Sequence, residues 1–343
     1  MKVLFSSNKN PHFLTITEYI EKALHGVASQ VIFYDDRNFI IPGRLRDKWP
    51  YLSGWDLRRM NKRLLAQVRS FKPDLFFVAG GHRIFPETVA EIKREAIMTA
   101  LWTIDPPKNF KPIIASAPYY DYIFTGGSEA YDILKDTGLR NLHWLPFACD
   151  PDLHKPQTLT KDEANLYSCD IAFVGTVDPE LYPRRCRLLE AISDFDLGVW
   201  GPSSEKIPPS SPLKHRIRGG KAIPAVWTKI YSRAKIVLCL HYQDPTGETP
   251  CQQASPRIFE ALACGAFVIS DNQRDVFSLF KEGEHLAGFN DSDDLSAKIT
   301  YYLDRPLERE EIARRGRREV ISKHTYVNRI QELLSIVSQN EPK

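Results

Sequence analysis

The sequence predicts an α/β protein made of two doubly wound, Rossmann-like domains facing a cleft. Three observations carry that prediction. Short apolar runs alternate with segments of helical periodicity along the whole chain. The alternation pauses at a polar stretch, Pro151 to Ser168, and then restarts. At 343 residues the chain is too long for one ordinary domain and suits two of about 150 to 180.

In the first half, Lys2 to Ser7 (KVLFSS) reads as a strand and Phe13 to His25 as a helix. Gln30 to Tyr34 is a second strand. Asp56 to Phe71 is an amphipathic helix leading into DLFFVAGG, a third strand that ends at Gly80 and Gly81. Pro86 to Glu95 is helical, MTALWTID a fourth strand and YDYIFTGG a fifth. Ser128 opens a helix through Lys135, and LHWLPFACD closes the half. Strand and helix alternating at this spacing imply a parallel sheet covered on both faces. Residues 1–150 are therefore assigned to the first domain, 151–168 to a linker and 169–343 to the second.

The second half begins with the strand CDIAFVGT. Arg184 to Ile192 is a helix, LGVWG a strand, Trp227 to Arg233 a helix and AKIVLCLHY a strand. Helices follow at Val276 to Lys281, Ser296 to Leu303 and Arg309 to Ser322. A last helix, Tyr326 to Val337, is placed to pack back on the first domain.

Between these lies the most informative run, SPRIFEALACGAFVISD, Ser255 to Asp271. Ser255 suits an N-cap. Pro256 suits the first helical position, where a missing N–H costs nothing. Gly265 stops the helix, and Ala266 to Ser270 follows as a buried strand. Glu260 is the anomaly, because a carboxylate in so apolar a helix is costly without a partner. A ribose offers two adjacent hydroxyls that both donate to one carboxylate. The start of the helix offers free N–H groups and positive dipole to a diphosphate.

The bulk numbers exclude several classes. A net charge of +3 gives no broad footprint for nucleic acid. The N-terminus, MKVLFSSNKN, reads as a first strand rather than a signal peptide, which argues against a periplasmic binding protein. No stretch is long and apolar enough to cross a membrane. The six cysteines form no CxxC pair and no cluster with zinc-ligand spacing, so reduced thiols in a cytoplasmic protein are expected. No GxGxxG follows the first strand, so the fingerprint of a dinucleotide dehydrogenase is missing.

Gly175 ends a buried strand, where a ligand can approach the backbone closely, and Thr176 adds a hydroxyl and an N–H. Arg184 and Arg185 start the next helix. Arginines so placed clamp a pyrophosphate and stabilise a leaving group's developing charge.

The Ser255 to Asp271 run resembles the sugar-nucleotide signature of GT-B glycosyltransferases. FVGT with downstream YPRR, then WTKIYSRAKIVLCLHY, then SPRIFEALACGAFVISD, resembles the CgeB-like glycosyltransferases, a group-1-like branch of that fold. WTIDPP, YDYIFTGGSEAYDILKDTG, LPFACDPDLH and KHTYVNRIQELL extend the likeness from about Ala79 to Val337. The resemblance implies that the first domain takes the acceptor and the second the nucleotide sugar. It implies that Glu260 holds the nucleotide ribose and that Gly175, Thr176, Arg184, Arg185, Gln252, Ser255, Pro256 and Arg257 surround the donor. The donor would be a nucleoside-diphosphate sugar, UDP-sugar favoured, with no other cofactor. Arginines and a helix dipole would neutralise the diphosphate without a metal. The acceptor would be a hydroxyl of a glycan, a protein or a cell- or spore-surface component, with room for peripheral membrane contact.

One departure stands out. Many retaining GT-B enzymes carry a first glutamate eight positions before the ribose-binding one, and here that position is Gln252. Glu248, in the loop DPTGETPCQQ, is a substitute if that loop folds over the donor; a solvated carboxylate is the plainer reading. In the first domain Asp105 ends the fourth strand ahead of Pro106 and Pro107, where it could serve as general base, bind acceptor or cap a turn. His82, after Gly80 and Gly81, is a second candidate, against a hydrogen-bonded structural histidine. Asn8 and Lys9 follow the first strand as possible acceptor or phosphate contacts. The basic run KHRIRGGK, Lys214 to Lys221, reads as a solvated loop before an anion grip. Two rival functions share the outline: a nucleotide-sugar epimerase, and a catalytically degenerate surface or spore-coat protein.

Overall fold

A computed structural model describes residues 1–80, 83–104, 110–220 and 223–339. They fall into two compact units. Met1–Pro146 joins the chain's end from Tyr326 onward in the first, and Phe147–Thr325 forms the second.

The first unit runs β1 (Lys2–Ser7), α1 (Ile16–Val27), β2 (Gln30–Asp35), α2 (Gly43–Lys48), α3 (Pro50–Phe71), β3 (Leu75–Ala79), α4 (Pro86–Arg94), β4 (Met98–Thr103), α5 (Phe110–Ser116), β5 (Tyr122–Thr125), α6 (Ser128–Asp136) and β6 (Leu142–Trp144). All strand pairs are parallel, in the order β2-β1-β3-β4-β5-β6. The inner strands are apolar on both faces, as a sheet covered by helices on each side requires. Leu4, Phe76, Val78, Leu101 and Ile123 meet Leu64, Val68 and Ile92 in one core.

The second unit runs α7 (Lys161–Tyr167), β7 (Ile171–Val174), α8 (Pro183–Ala191), β8 (Leu197–Trp200), β9 (Ile217–Gly219), α9 (Pro224–Arg233), β10 (Ile236–Cys239), α10 (Pro256–Ala263), β11 (Val268–Asp271), α11 (Arg274–Leu279), β12 (Ala287–Phe289), α12 (Ser292–Leu303) and α13 (Pro306–Lys323). Its parallel order is β12-β11-β10-β7-β8-β9. The chain builds outward from β7 to one side and returns through β10 to the other. The order therefore reverses between β7 and β10, and in such sheets ligands bind outside the strand ends at that reversal.

The final helix, α14 (Tyr326–Gln339), belongs to the first unit. Tyr326 packs near Tyr19 and Trp102, Arg329 Nε donates to Pro146 O at 2.9 Å, and Tyr122 Oη donates to Val337 O.

Residues 151–168 are not a linker; they lie inside the second unit. Thr160 and Glu163 form a capping box that starts α7, and Glu163 also pairs with Lys229 on α9. Polarity there marks the outer face of a packed helix. The breaks fall instead at Pro146/Phe147 and Thr325/Tyr326. The KHRIRGGK run is only partly a loop, since Ile217 to Gly219 form the edge strand β9. Arg218 is committed there to Asp196 and Ser168 O.

Candidate functional site

Gly175 and Thr176 follow β7, Leu240 and His241 follow β10, and Asp271 ends β11. All stand at the carboxyl ends of adjacent strands around the reversal.

Glycine at 175 permits a close approach. A Cβ there would lie 2.6 Å from Arg257 Nη1, so the guanidinium of α10's second residue rests on the end of β7. Gly201 closes the other side: a Cβ on it would lie 1.7 Å from Gly175 O. The sequence reading passed over Gly201, whose signal was a glycine directly after the strand LGVW.

Ser255 takes the N-cap position of α10 with extended backbone, and Pro256 takes N1. The Ser255 hydroxyl caps nothing and makes no hydrogen bond among the described residues, which leaves it available to a ligand. One turn on, Glu260 is 7% exposed. Burial pushes its carboxyl up to about 7, against the opposing pull of Arg257. No hydrogen bond reaches the carboxylate among the described residues. His154 Nε2 lies 4.0 Å from Oε1, and His154 Nδ1 accepts the Asp150 N–H, so the neutral ring turns its N–H toward Glu260. Glu260, Arg257, Ser255, Gly175 and Thr176 thus converge within one unit.

The two adjacent arginines divide. Arg185 is buried: Nη1 donates to Thr176 O at 2.9 Å and Nη2 to Leu240 O at 3.0 Å, tying the ends of β7 and β10 together. Its guanidinium lies 4.0 Å from the Tyr182 ring, and desolvation together with the Arg257 charge lowers its pKa. It braces the two strand ends, each terminal nitrogen giving one hydrogen bond to a backbone carbonyl. Arg184 is half-buried, with Nη1 at 2.9 Å from Asp271 Oδ2.

Asp271 also receives His241, at 2.6 Å from Nδ1 and 3.2 Å from the backbone N–H. His241 Nε2 is buried without a hydrogen-bond partner among the described residues. His241 lines a pocket of about 160 Å³ together with Tyr182, Arg184, Arg185, Arg187 and Gln243. Sequence reasoning missed His241 and Asp271 as site residues, although each is a polar residue closing an apolar strand at the sheet's working edge.

Gln252 is half-buried and its Oε1 accepts from Arg274 Nη1 at 3.1 Å. Glu248 is exposed on a loop that curls around Asp244, which accepts from Thr246 and Thr249. Lys9 pairs with Glu21 and lies over Phe33, and Asn8 accepts from Arg83, so both are engaged within the first unit. Asp105 and His82 lie outside the described residues.

Asp-x-Asp, the metal-holding pair of another transferase fold, occurs three times, and each occurrence has local work. Asp150 accepts the Asp152 N–H, Asp196 pairs with Arg218, and Asp291 caps α12 through the N–H groups of Asp293 and Asp294. No group of three His, Cys, Asp or Glu suited to a metal occurs among the described residues.

Residues 184–335 match the family model described as glycosyl transferase-like. The chain is 22% identical over 274 residues to the spore protein CgeB of Bacillus subtilis, covering 76% of this chain and 82% of that one. Among solved structures, Anabaena HepE in complex with UDP and glucose matches with a TM-score of 0.65 at 12% identity, over 99% of this chain and 100% of the other. Sucrose-phosphate synthase from Thermosynechococcus elongatus matches with a TM-score of 0.67 at 13% identity, over 98% of each chain. These likenesses establish the GT-B fold.

Proposed function

We propose that this chain, similar over residues 184–335 to the glycosyl transferase-like family and over most of its length to the spore protein CgeB, moves a sugar from a nucleoside diphosphate onto an acceptor hydroxyl. UDP is the favoured nucleotide, in keeping with the UDP bound by HepE. The observation that carries the reading is Glu260: a buried carboxylate without a hydrogen bond among the described residues, one turn inside a helix whose first turn is uncapped. A buried acceptor left unpaired is costly unless a ligand supplies donors. Two ribose hydroxyls are such donors.

The diphosphate would lie at the start of α10. The Ser255 hydroxyl, the Arg257 N–H and guanidinium and the helix dipole would oppose its charge, with Arg184 adding a cation from α8. As the bond to the sugar breaks, charge builds on the β-phosphate, and these groups stabilise it in place of a metal. Asp105 and His82 are proposed as the acceptor-side catalytic residues. A glycan, protein or spore- or cell-surface hydroxyl is the proposed acceptor, and the cytoplasm the proposed compartment.

The test is UDP binding by titration calorimetry, with and without EDTA, on wild type and Glu260→Gln. Loss of two charge-assisted ribose bonds should weaken binding by at least about tenfold, and EDTA should change nothing. A folded Gln variant that binds UDP as well as wild type removes the ribose assignment. A requirement for a divalent ion removes the metal-free one.

A further inference from the structure

The segment 37–63 of the first unit carries a feature the proposed transfer reaction does not use. It holds eight Lys or Arg and two Asp, against a net charge of +3 for the whole chain. Interleaved with those cations are exposed apolar side chains: Ile40 at 56%, Leu45 at 40%, Trp49 at 38%, Tyr51 at 69% and Trp55 at 51%. Tyr51, Trp55, Arg58 and Lys62 follow one another at helical spacing along α3 and are all exposed. That stripe is aromatic at its N-terminal end and basic further on.

The patch is held in shape from beneath. Asp56 is fully buried, and its carboxylate accepts the Ile40 and Ile41 N–H groups at 3.0 Å each and Arg59 Nε at 2.9 Å. One of the segment's two acids is thereby consumed internally. Arg46 donates to Ile41 O and lies over the Phe39 ring. Arg37, Arg44, Lys48, Arg58, Lys62 and Arg63 remain exposed.

We infer that this face docks on an anionic lipid surface. Exposed apolar clusters of this kind mark interaction sites. Tryptophan and tyrosine favour the boundary between headgroups and acyl chains, because their rings are apolar with one polar edge. Clustered Lys and Arg select anionic headgroups. No helix among the described residues is long and apolar enough to cross a membrane, so the contact is peripheral.

The experiment is cosedimentation of the full chain with phosphatidylcholine vesicles, with and without about 30 mol% phosphatidylglycerol. The anionic vesicles should carry down at least about tenfold more protein. Paired Trp49→Ser and Trp55→Ser should cut that binding about tenfold through lost insertion. Paired Arg58→Glu and Lys62→Glu should abolish the preference for anionic vesicles. Melting temperatures near wild type check that these surface variants fold. No sedimentation with anionic vesicles overturns the inference. So does salt-sensitive binding that the Trp pair leaves intact, which points to a soluble polyanion. A concentration-dependent dimer that the Trp pair dissolves makes the face a contact between two copies instead.

Discussion

His241 Nδ1 lies 2.6 Å from Asp271 Oδ1, with both side chains buried, while Arg184 takes the other carboxylate oxygen at 2.9 Å. With Nδ1 donating, a neutral ring presents an acceptor at Nε2 and a protonated ring a donor. Burial alone would raise the Asp271 pKa; the charges and hydrogen bonds of His241 and Arg184 overcome this and hold it below the usual carboxylate range. A depressed acid stabilises the fold above its unfolded pKa and loses that contribution as pH falls through the folded one. Asp271→Asn should therefore destabilise by about 3 kcal/mol near neutral pH, the order seen when a buried pair loses one partner. The deficit should begin to shrink below about pH 4, where the unfolded chain takes up the proton, and vanish only once the folded carboxylate is protonated too. Urea unfolding at both pH values measures this, and a deficit that stays constant into acid defeats the assignment.

Glu260 has the opposite sign. Its pKa is raised to about 7, so the folded state binds a proton that the unfolded state releases at lower pH. Burying it destabilises the fold progressively as pH rises above the unfolded value, and the full effect is reached above about pH 7. Glu260→Gln should thus be more stable than wild type at pH 8, by a few kcal/mol at most, and nearly equal at pH 4. The same variant should lose nucleotide affinity. Stability gained where binding is lost separates a ligand group from a structural one. Equal melting temperatures at both pH values would show that the carboxylate carries no such penalty.

Much of this was legible in the sequence because it depends on local chemistry. Glu260 stood out as a charge in an apolar helix, and Gly175 as a glycine ending a buried strand. Periodicity also located the long helices and inner strands. What the sequence did not reveal depends on partners distant along the chain. Arg184 and Arg185 are neighbours of the same type, yet one reaches carbonyls on two strands and the other a carboxylate 87 positions away. Asp271 reads as the polar end of a strand until His241 is placed beside it. The edge strands β9 and β12 are three residues each, too short for alternation to register.

Gly175 and Gly201 should respond differently to the same substitution. At Gly175 the added methyl meets the far end of a flexible side chain, Arg257 Nη1, and the Phe173 ring edge at 3.0 Å. At Gly201 it meets backbone, Gly175 O at 1.7 Å and its carbonyl carbon at 2.5 Å. Gly201→Ala should separate the ends of β7 and β8 and destabilise by about 3 kcal/mol or more, in the range of severe overpacking. Gly175→Ala should fold, swing Arg257 away and weaken UDP binding. Thermal melts paired with calorimetric titration test both arms. A Gly175→Ala protein with unaltered UDP affinity would mean that Arg257 does not need its place over β7.

The adjacent arginines give the sharpest contrast. Arg185→Ala removes the donors from two carbonyls, Thr176 O and Leu240 O, beneath a site built on those strand ends. Each buried acceptor left unpaired costs about 1 to 3 kcal/mol, so this variant should be strongly destabilised. Arg185→Lys should rescue only part of the loss, since one ammonium cannot reproduce the planar fork that spans both strands. Arg184→Ala removes a half-exposed cation and leaves Asp271 with His241, so its effect on stability should stay within about 1 kcal/mol. Its effect should appear in nucleotide affinity, as a loss larger for UDP than for uridine. Chemical unfolding and paired titrations with UDP and uridine separate the two residues, and equal losses for both ligands would take Arg184 away from the diphosphate.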